Sequence, residues 1–420
     1  MSETIAIIGA GQAAAVATRA LRRRGFDGDI EIIGDETDRP YQRPPLSKEY
    51  LYAADDTDLY LLPEQWCQEQ RIRFRLGAAA VRIRAGDRAV ELADGSELRA
   101  DSVLIATGSR PRRFPGASGD RIHYLRTRRD SDLLRERLRP GARLIVVGAG
   151  FIGSEVAAAA HTRGTQVVIV EAAASPMAQL LGPEVGAACA EIHRRHGVEV
   201  RLGEPVRAIT ETAGGVVVTT TRGTIEGDAV VIGVGVEPNV EVAANSGIPL
   251  DDGILVDASC RTAIPNVFAA GDVACQYSRL FGERIRAEHF DNANRQAATA
   301  VDGMLGREPT AADPPWFWSD QYEVNLQCAG RPRACDEIVV RGSLPGLDFT
   351  AFYLRDGIVR AAFSMDRGAD VLAAKELICR RRRVPAAVLR DEEMDLMDIA
   401  LDEDVFEGDH VDDELTTRER

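Results

Sequence analysis

The sequence predicts an α/β chain in which two Rossmann-like dinucleotide-binding domains are followed by a smaller α+β domain. Three observations predict it. A strand–glycine turn–helix–strand unit occurs twice, near residues 4–36 and 144–171. At 420 residues the chain exceeds what one hydrophobic core usually serves. The pattern changes after Tyr322, to closely spaced β-type runs and then one helical stretch.

The first unit opens with the apolar run Thr4–Ile8 and enters Gly9-x-Gly11-x-x-Ala14. An Ala- and Arg-rich helical stretch then runs to Gly25, and Ile30–Ile33 forms the next strand, ending at Gly34-Asp35-Glu36. The first glycine allows a tight turn, and the second lets the backbone approach a pyrophosphate. The small third residue lets helix and strand pack closely, while the helix N-terminus stabilises phosphate charge. Asp35, after the second strand, is placed to bind a ribose hydroxyl. The second unit repeats the plan: Leu144–Val147, then Gly148-x-Gly150-x-x-Gly153, a helix, and Gln166–Val170 ending at Glu171. Two such sites predict two dinucleotides in one chain, and two dinucleotides brought together predict hydride transfer between them.

Further strands end in small-residue turns: Leu104–Ile105 before Ala106-Thr107-Gly108, Val230–Gly235, and the segment from Asn266 to Gly271-Asp272. After the last strands, Glu337–Arg341, Phe349–Leu354 and Ile358–Phe363, a helix is expected from about Ala369 to Arg382. The expected domains are residues 1–112 and 242–320 for the first nucleotide fold, 113–241 for the second, and 321–405 for the α+β domain. Residues 406–420 are expected to be a disordered acidic tail.

Composition excludes several classes. The net charge of −15 is concentrated at the C-terminus, where Asp391–Arg420 carries 14 acidic and 2 basic side chains. Bulk charge therefore predicts no nucleic-acid binding. The run Ile5–Ile8 is too short to span a membrane and no basic residue precedes it, so a cytoplasmic protein without a membrane role is expected. The seven cysteines are dispersed, without C-x-x-C spacing or a Cys/His cluster, which predicts free buried thiols and no metal site.

The Ala106–Gly108 turn and the late Ala269-Ala270-Gly271-Asp272 motif resemble the two-dinucleotide-binding, glutathione-reductase-like flavoproteins. That resemblance implies FAD in the first site and a nicotinamide nucleotide in the second. Glu171 accepts hydrogen bonds from an adenosine ribose and repels a 2′-phosphate, and Ala172–Ser175 offers no arginine, so the nucleotide is expected to be NADH. Where that family's disulfide branch carries a redox cysteine pair, this chain has Arg43-Pro44-Pro45-Leu46-Ser47-Lys48. The flavin must then pass electrons directly to its acceptor.

Three segments resemble the NADH-dependent ferredoxin reductases: Pro40–Lys48, Tyr124-Leu125-Arg126-Thr127, and Trp316-Phe317-Trp318-Ser319-Asp320-Gln321-Tyr322. The resemblance runs from Thr4 to about Pro385. It implies single-electron delivery to a 2Fe–2S ferredoxin that feeds a cytochrome P-450 or a ring-hydroxylating oxygenase. It also implies that Asp35, Arg43, Lys48, Val81, Arg126, Asp272 and Phe290 line the FAD site. Lys48 would stabilise charge on the reduced flavin, with Glu155 as its partner. Phe151 would shield the flavin, and Trp318 would stand at its exposed edge, with Trp316 nearby. Arg380–Arg383 reads either as a solvated helix end or as a docking patch steering an acidic partner. A monomer is expected. Reductases of rubredoxin or of a small acceptor, and redox-signalling flavoproteins of the apoptosis-inducing-factor kind, remain as alternatives.

Overall fold

The computed structural model describes residues 3–53, 58–308, 313–333 and 335–402, so the acidic tail predicted at 406–420 lies outside the described residues. The chain forms two compact units, Met1–Ala172 with Gly197–Ala312, and Ala173–His196 with Asp313–Arg420.

Two parallel five-stranded sheets organise the first unit. In one, the order is Val267–Ala269, Ser102–Ile105, Thr4–Ile8, Asp29–Gly34, Ile72–Leu76, with every neighbour parallel. The central strand is apolar almost throughout because helices or loops cover both of its faces. The Ala-rich helix Gln12–Arg23 shares one core with helix Phe290–Met304, where Ala14 and Ala17 meet the layer of Ala297, Ala300 and Val301. Small side chains let these two helices and the strand beneath them approach closely.

The second sheet runs Glu199–Arg201, Gln166–Val170, Arg143–Val147, Ala229–Ile232, Ile122–His123, again all parallel. In both sheets the strand that feeds the glycine turn is central, and the strand order reverses beside it. Ligands of open α/β sheets bind at that reversal, beyond the carboxyl ends of the strands. The chain passes from the first fold to the second and back through an antiparallel pair, Ser109–Pro111 with Val236–Pro238. Beside it Thr107 Oγ1 donates to the Asn239 carbonyl at 2.7 Å, and Asn239 Nδ2 donates to the Thr107 carbonyl at 2.8 Å.

The second unit is built on an antiparallel sheet, ordered Trp316–Gln321, Val324–Gly330, Ile358–Met365, Asp348–Arg355, Glu337–Ser343. Helix Gly368–Arg380 follows. The last three strands and the helix match those expected from the sequence. The sheet also holds the tryptophan strand Trp316–Gln321, all but the last residue of which the expected boundary at 320 places in the first nucleotide fold. The unit further takes in Ala173–His196, read from sequence as part of the second nucleotide fold. Its helix Pro183–Arg195 follows Leu181, whose carbonyl accepts a 2.8 Å hydrogen bond from the buried Tyr353 hydroxyl. Tyr353→Phe strands that carbonyl and is expected to lower stability by about 1 kcal/mol in denaturant unfolding.

Of the seven cysteines, Cys67, Cys189, Cys260, Cys275 and Cys328 are buried free thiols, as expected. Cys335 is half-buried and Cys379 exposed, the latter on the outward side of the last turn of helix Gly368–Arg380. No helix among the described residues is long and apolar enough to cross a membrane.

Candidate dinucleotide sites

Gly9 leaves its strand at φ +111°, and a Cβ there would stand 2.1 Å from the Ala106 carbonyl oxygen. Only glycine fits between these two turns. Gly11 caps helix Gln12–Arg23 with no side-chain cap and no acidic residue in the first turn. A Cβ on Gly11 would meet no protein atom within 4 Å. With no side-chain cap, no acid and open space at Gly11, the helix N-terminus leaves room for a diphosphate. Ala14, fully buried, occupies the third position of the motif and is small enough for the helix to seat against the sheet.

A chain of alternating charges surrounds this cradle. Arg43 Nη2 pairs with Glu36 Oε1 at 2.5 Å, and Tyr41 donates to Glu36 Oε2 at 2.5 Å. Arg43 Nη1 reaches the Arg126 carbonyl at 2.7 Å. Arg126 Nη2 in turn meets Asp272 Oδ2 at 3.1 Å, and Ser109 Oγ donates to the same oxygen at 2.8 Å. Gly108, at φ +66°, lies against Arg126, whose Nη2 would be 3.1 Å from a Cβ there. The N–H of Gly271 donates to Gln296 Oε1 at 2.9 Å, which fixes the turn that carries Asp272. Arg43, Arg126, Gly108, Gly271 and Asp272, distant in sequence, are thus linked in one network.

Asp35 is exposed beside the network, its Oδ1 accepting from the Glu36 N–H at 3.1 Å. Val81 sits on strand Ala80–Arg84, where its carbonyl accepts from Asn245 Nδ2 at 2.9 Å. Phe290 is the first residue of helix Phe290–Met304. Sequence reasoning missed Glu36, Tyr41, Ser109 and Gln296. The first three had a signal, since each stands within two residues of a candidate.

The second site repeats the geometry more strictly. Gly148 is at φ +99°, and a Cβ there would lie 2.3 Å from the Gly233 carbonyl oxygen. Gly150 caps helix Phe151–Thr162, again with no acidic residue in the first turn and open space where a Cβ would point. A Cβ on Gly153 would come within 2.2 Å of the Gly148 carbonyl oxygen, so helix and loop touch through hydrogen atoms alone. Glu171 Oε2 accepts from the Ala149 N–H at 2.8 Å, which holds the acid over the glycine loop. Phe151 is the first helical residue and is half-buried.

The two sites meet through one ion pair. Glu155, on helix Phe151–Thr162, has a side chain only 3% exposed and receives Lys48 Nζ at 3.0 Å. Ser47 Oγ donates to its other oxygen at 2.5 Å. Lys48, 11% exposed, stands between the short 3-10 turn Pro44–Ser47 and helix Glu49–Tyr52. A pair this deeply buried stands only because each charge has close partners to offset lost hydration.

Trp318 belongs to the second unit. Its ring stacks on that of Trp316 with centroids 5.4 Å apart, and its Nε1 donates to Asp320 Oδ2 at 3.1 Å.

Comparison with known proteins agrees with this geometry. The pyridine nucleotide-disulphide oxidoreductase family matches residues 3–301, and the reductase C-terminal family matches residues 316–400. The ferredoxin–NAD(+) reductase component of the anthranilate 1,2-dioxygenase system of Burkholderia cepacia is 41% identical over 90% of this chain and 94% of its own. Rhodocoxin reductase of Rhodococcus erythropolis is 39% identical over 94% of this chain and 93% of its own. The crystal structure of the covalent putidaredoxin reductase–putidaredoxin complex superposes with a TM-score of 0.91 at 35% identity, covering 94% of this chain and 98% of that one. With two glycine cradles, each backed by a parallel sheet, and a match to both parts of these relatives, the chain belongs to the pyridine nucleotide-disulphide oxidoreductase family.

Proposed function

We propose that the chain is an FAD-dependent NADH:ferredoxin oxidoreductase, delivering electrons singly to a 2Fe–2S ferredoxin that serves a cytochrome P-450 or a ring-hydroxylating oxygenase. The observation that carries this reading is the pairing of two dinucleotide cradles through Lys48 and Glu155, with no cysteine in the Arg43–Lys48 segment between them. Bound FAD supplies the chemistry that accepts a hydride from NADH and gives up its electrons one at a time.

The chain's own residues do the rest. Gly9, Gly11 and Ala14 let the first helix present its N–H groups to the FAD diphosphate, and Asp35 takes a ribose hydroxyl. Arg43, Arg126 and Asp272 fix the cofactor's central part, their charges already balanced within the protein. Gly148, Gly150 and Gly153 do the same for NADH, with Glu171 reading its adenosine ribose. Lys48 places a cation where negative charge gathers, and Glu155 holds that cation in position while neutralising it between turnovers. Phe151 excludes water until nicotinamide arrives, and Trp318 offers an aromatic edge for electron exit. The relatives named above share both halves of the chain, which favours a ferredoxin as acceptor over a small molecule.

The test is NADH-driven cytochrome c reduction with a panel of 2Fe–2S ferredoxins. A rate that saturates with one ferredoxin and collapses when NADPH replaces NADH is expected. Bleaching of the flavin by NADH with no ferredoxin-dependent rate would overturn the partner and leave the two cofactor sites standing.

A further inference from the structure

Strand Glu199–Arg201 lies beside Gln166–Val170, with Arg201 opposite Val170. The N–H of Glu171 donates to the Arg201 carbonyl at 2.8 Å, and the N–H of Glu204 donates to the Glu171 carbonyl at 2.9 Å. Arg201 and Glu204 are therefore tied through their backbones to the residue that reads the adenosine ribose. A guanidinium at such a place is the group that ordinarily receives a 2′-phosphate.

Here that guanidinium is engaged elsewhere. Arg201 Nε meets Glu199 Oε1 at 2.6 Å, and its Nη1 lies 3.6 Å from Glu204 Oε1. Glu199 precedes Arg201 by two residues on one strand, so both side chains leave the same face. The contact draws the guanidinium back toward the amino end of the strand, away from the carboxyl end where nucleotides bind. Glu204 is held from behind: it is 3% exposed and accepts from Thr220 Oγ1 at 2.6 Å. Glu199 also meets Arg143 Nη2 at 3.4 Å, and the nearby Arg222 directs Nη2 to the Gly203 carbonyl at 3.1 Å.

We propose that Glu199 and Glu204 are specificity-determining residues: by engaging Arg201 they withhold from a 2′-phosphate the guanidinium beside Glu171. Discrimination against NADPH then rests on three carboxylates rather than one. The inference depends on reading the second site as an NADH site.

Calorimetric titration of the FAD-loaded protein with NAD+ and NADP+ tests it. In a Glu171→Ser background, adding Glu199→Gln and Glu204→Gln is expected to tighten NADP+ a further tenfold or so, since a freed guanidinium meets phosphate through a charge-assisted bidentate bond. Adding Arg201→Gln to that variant should abolish the gain. No gain over Glu171→Ser, or a gain that survives Arg201→Gln, overturns the proposal. If the buried Glu204→Gln change unfolds the chain, Glu199→Gln alone carries the test, because Glu199 is 47% exposed. A gain in NADP+ affinity that Arg201→Gln removes then supports the idea, and unchanged affinity with NAD+ binding retained overturns it. Wild-type protein that binds NADP+ as tightly as NAD+ would defeat the underlying NADH reading instead.

Discussion

Lys48→Met is expected to cost about 3–5 kcal/mol of unfolding free energy and to slow NADH-driven flavin reduction at least tenfold. The size of the stability loss follows from Glu155, whose carboxylate is 3% exposed and loses the ammonium group 3.0 Å away. The hydrogen bond from Ser47 remains but brings no positive charge to a carboxylate held away from water. Glu155→Leu added to Lys48→Met removes that charge as well, so the double variant should recover most of the stability while remaining slow. Denaturant unfolding and stopped-flow bleaching at 450 nm report the two effects separately. If the double variant were no more stable than Lys48→Met alone, the pair would not be the source of the loss. If both variants reduced the flavin at the wild-type rate, Lys48 would have no part in the chemistry.

Gly153→Val is expected to lower kcat/KM for NADH by more than a hundredfold while the protein keeps its yellow colour. A Cβ at this position would enter the Gly148 carbonyl oxygen at 2.2 Å and crowd Val146 at 3.3 Å. The neighbour at closest approach is backbone, so relief requires the whole glycine loop to shift. That shift moves the Gly150 cap, whereas the Gly9 and Gly11 turn of the first cradle lies on a separate sheet. The first nucleotide fold meets this helix through Lys48 and Ser47 at Glu155. Misplacement of about 1 Å in a positioning element can cost a hundredfold in rate. The flavin absorbance of the purified protein and a dithionite titration check that FAD is retained. Loss of FAD along with NADH activity would mean that the two cradles do not fold independently.

Both cradles were legible in the sequence because their requirements are local. A glycine that must reach φ +111° or touch a carbonyl is forced by backbone sterics, and the strands on either side carry unbroken apolar runs. Three of the antiparallel strands after Tyr322, those from Glu337 onward, were legible for a similar reason, with turns such as that at Gly357 between them, whereas Val324–Gly330 was not read. Less could be read where contacts are long-range. Glu36 and Tyr41 are ordinary surface-type residues until Arg43 meets them, and Ser109 gains meaning only when Asp272 arrives from 163 positions away. The engagement of Arg201 by Glu204 needs the strand that Thr220 supplies. The grouping of Ala173–His196 with the second unit has no local signal, because nothing in its composition distinguishes its helix from others of the second nucleotide fold.

That helix has a consequence for anyone building chimaeras from this chain. The second unit draws on Ala173–His196 as well as on the described residues from Asp313 onward, so the polypeptide passes between the units three times. A recombination point near residue 312 would exchange the antiparallel sheet but leave its native Leu181 behind in the other parent. Grafting a foreign second unit therefore calls for transplanting two pieces together. The joints would fall at 172/173, 196/197 and 312/313, where the chain already changes company.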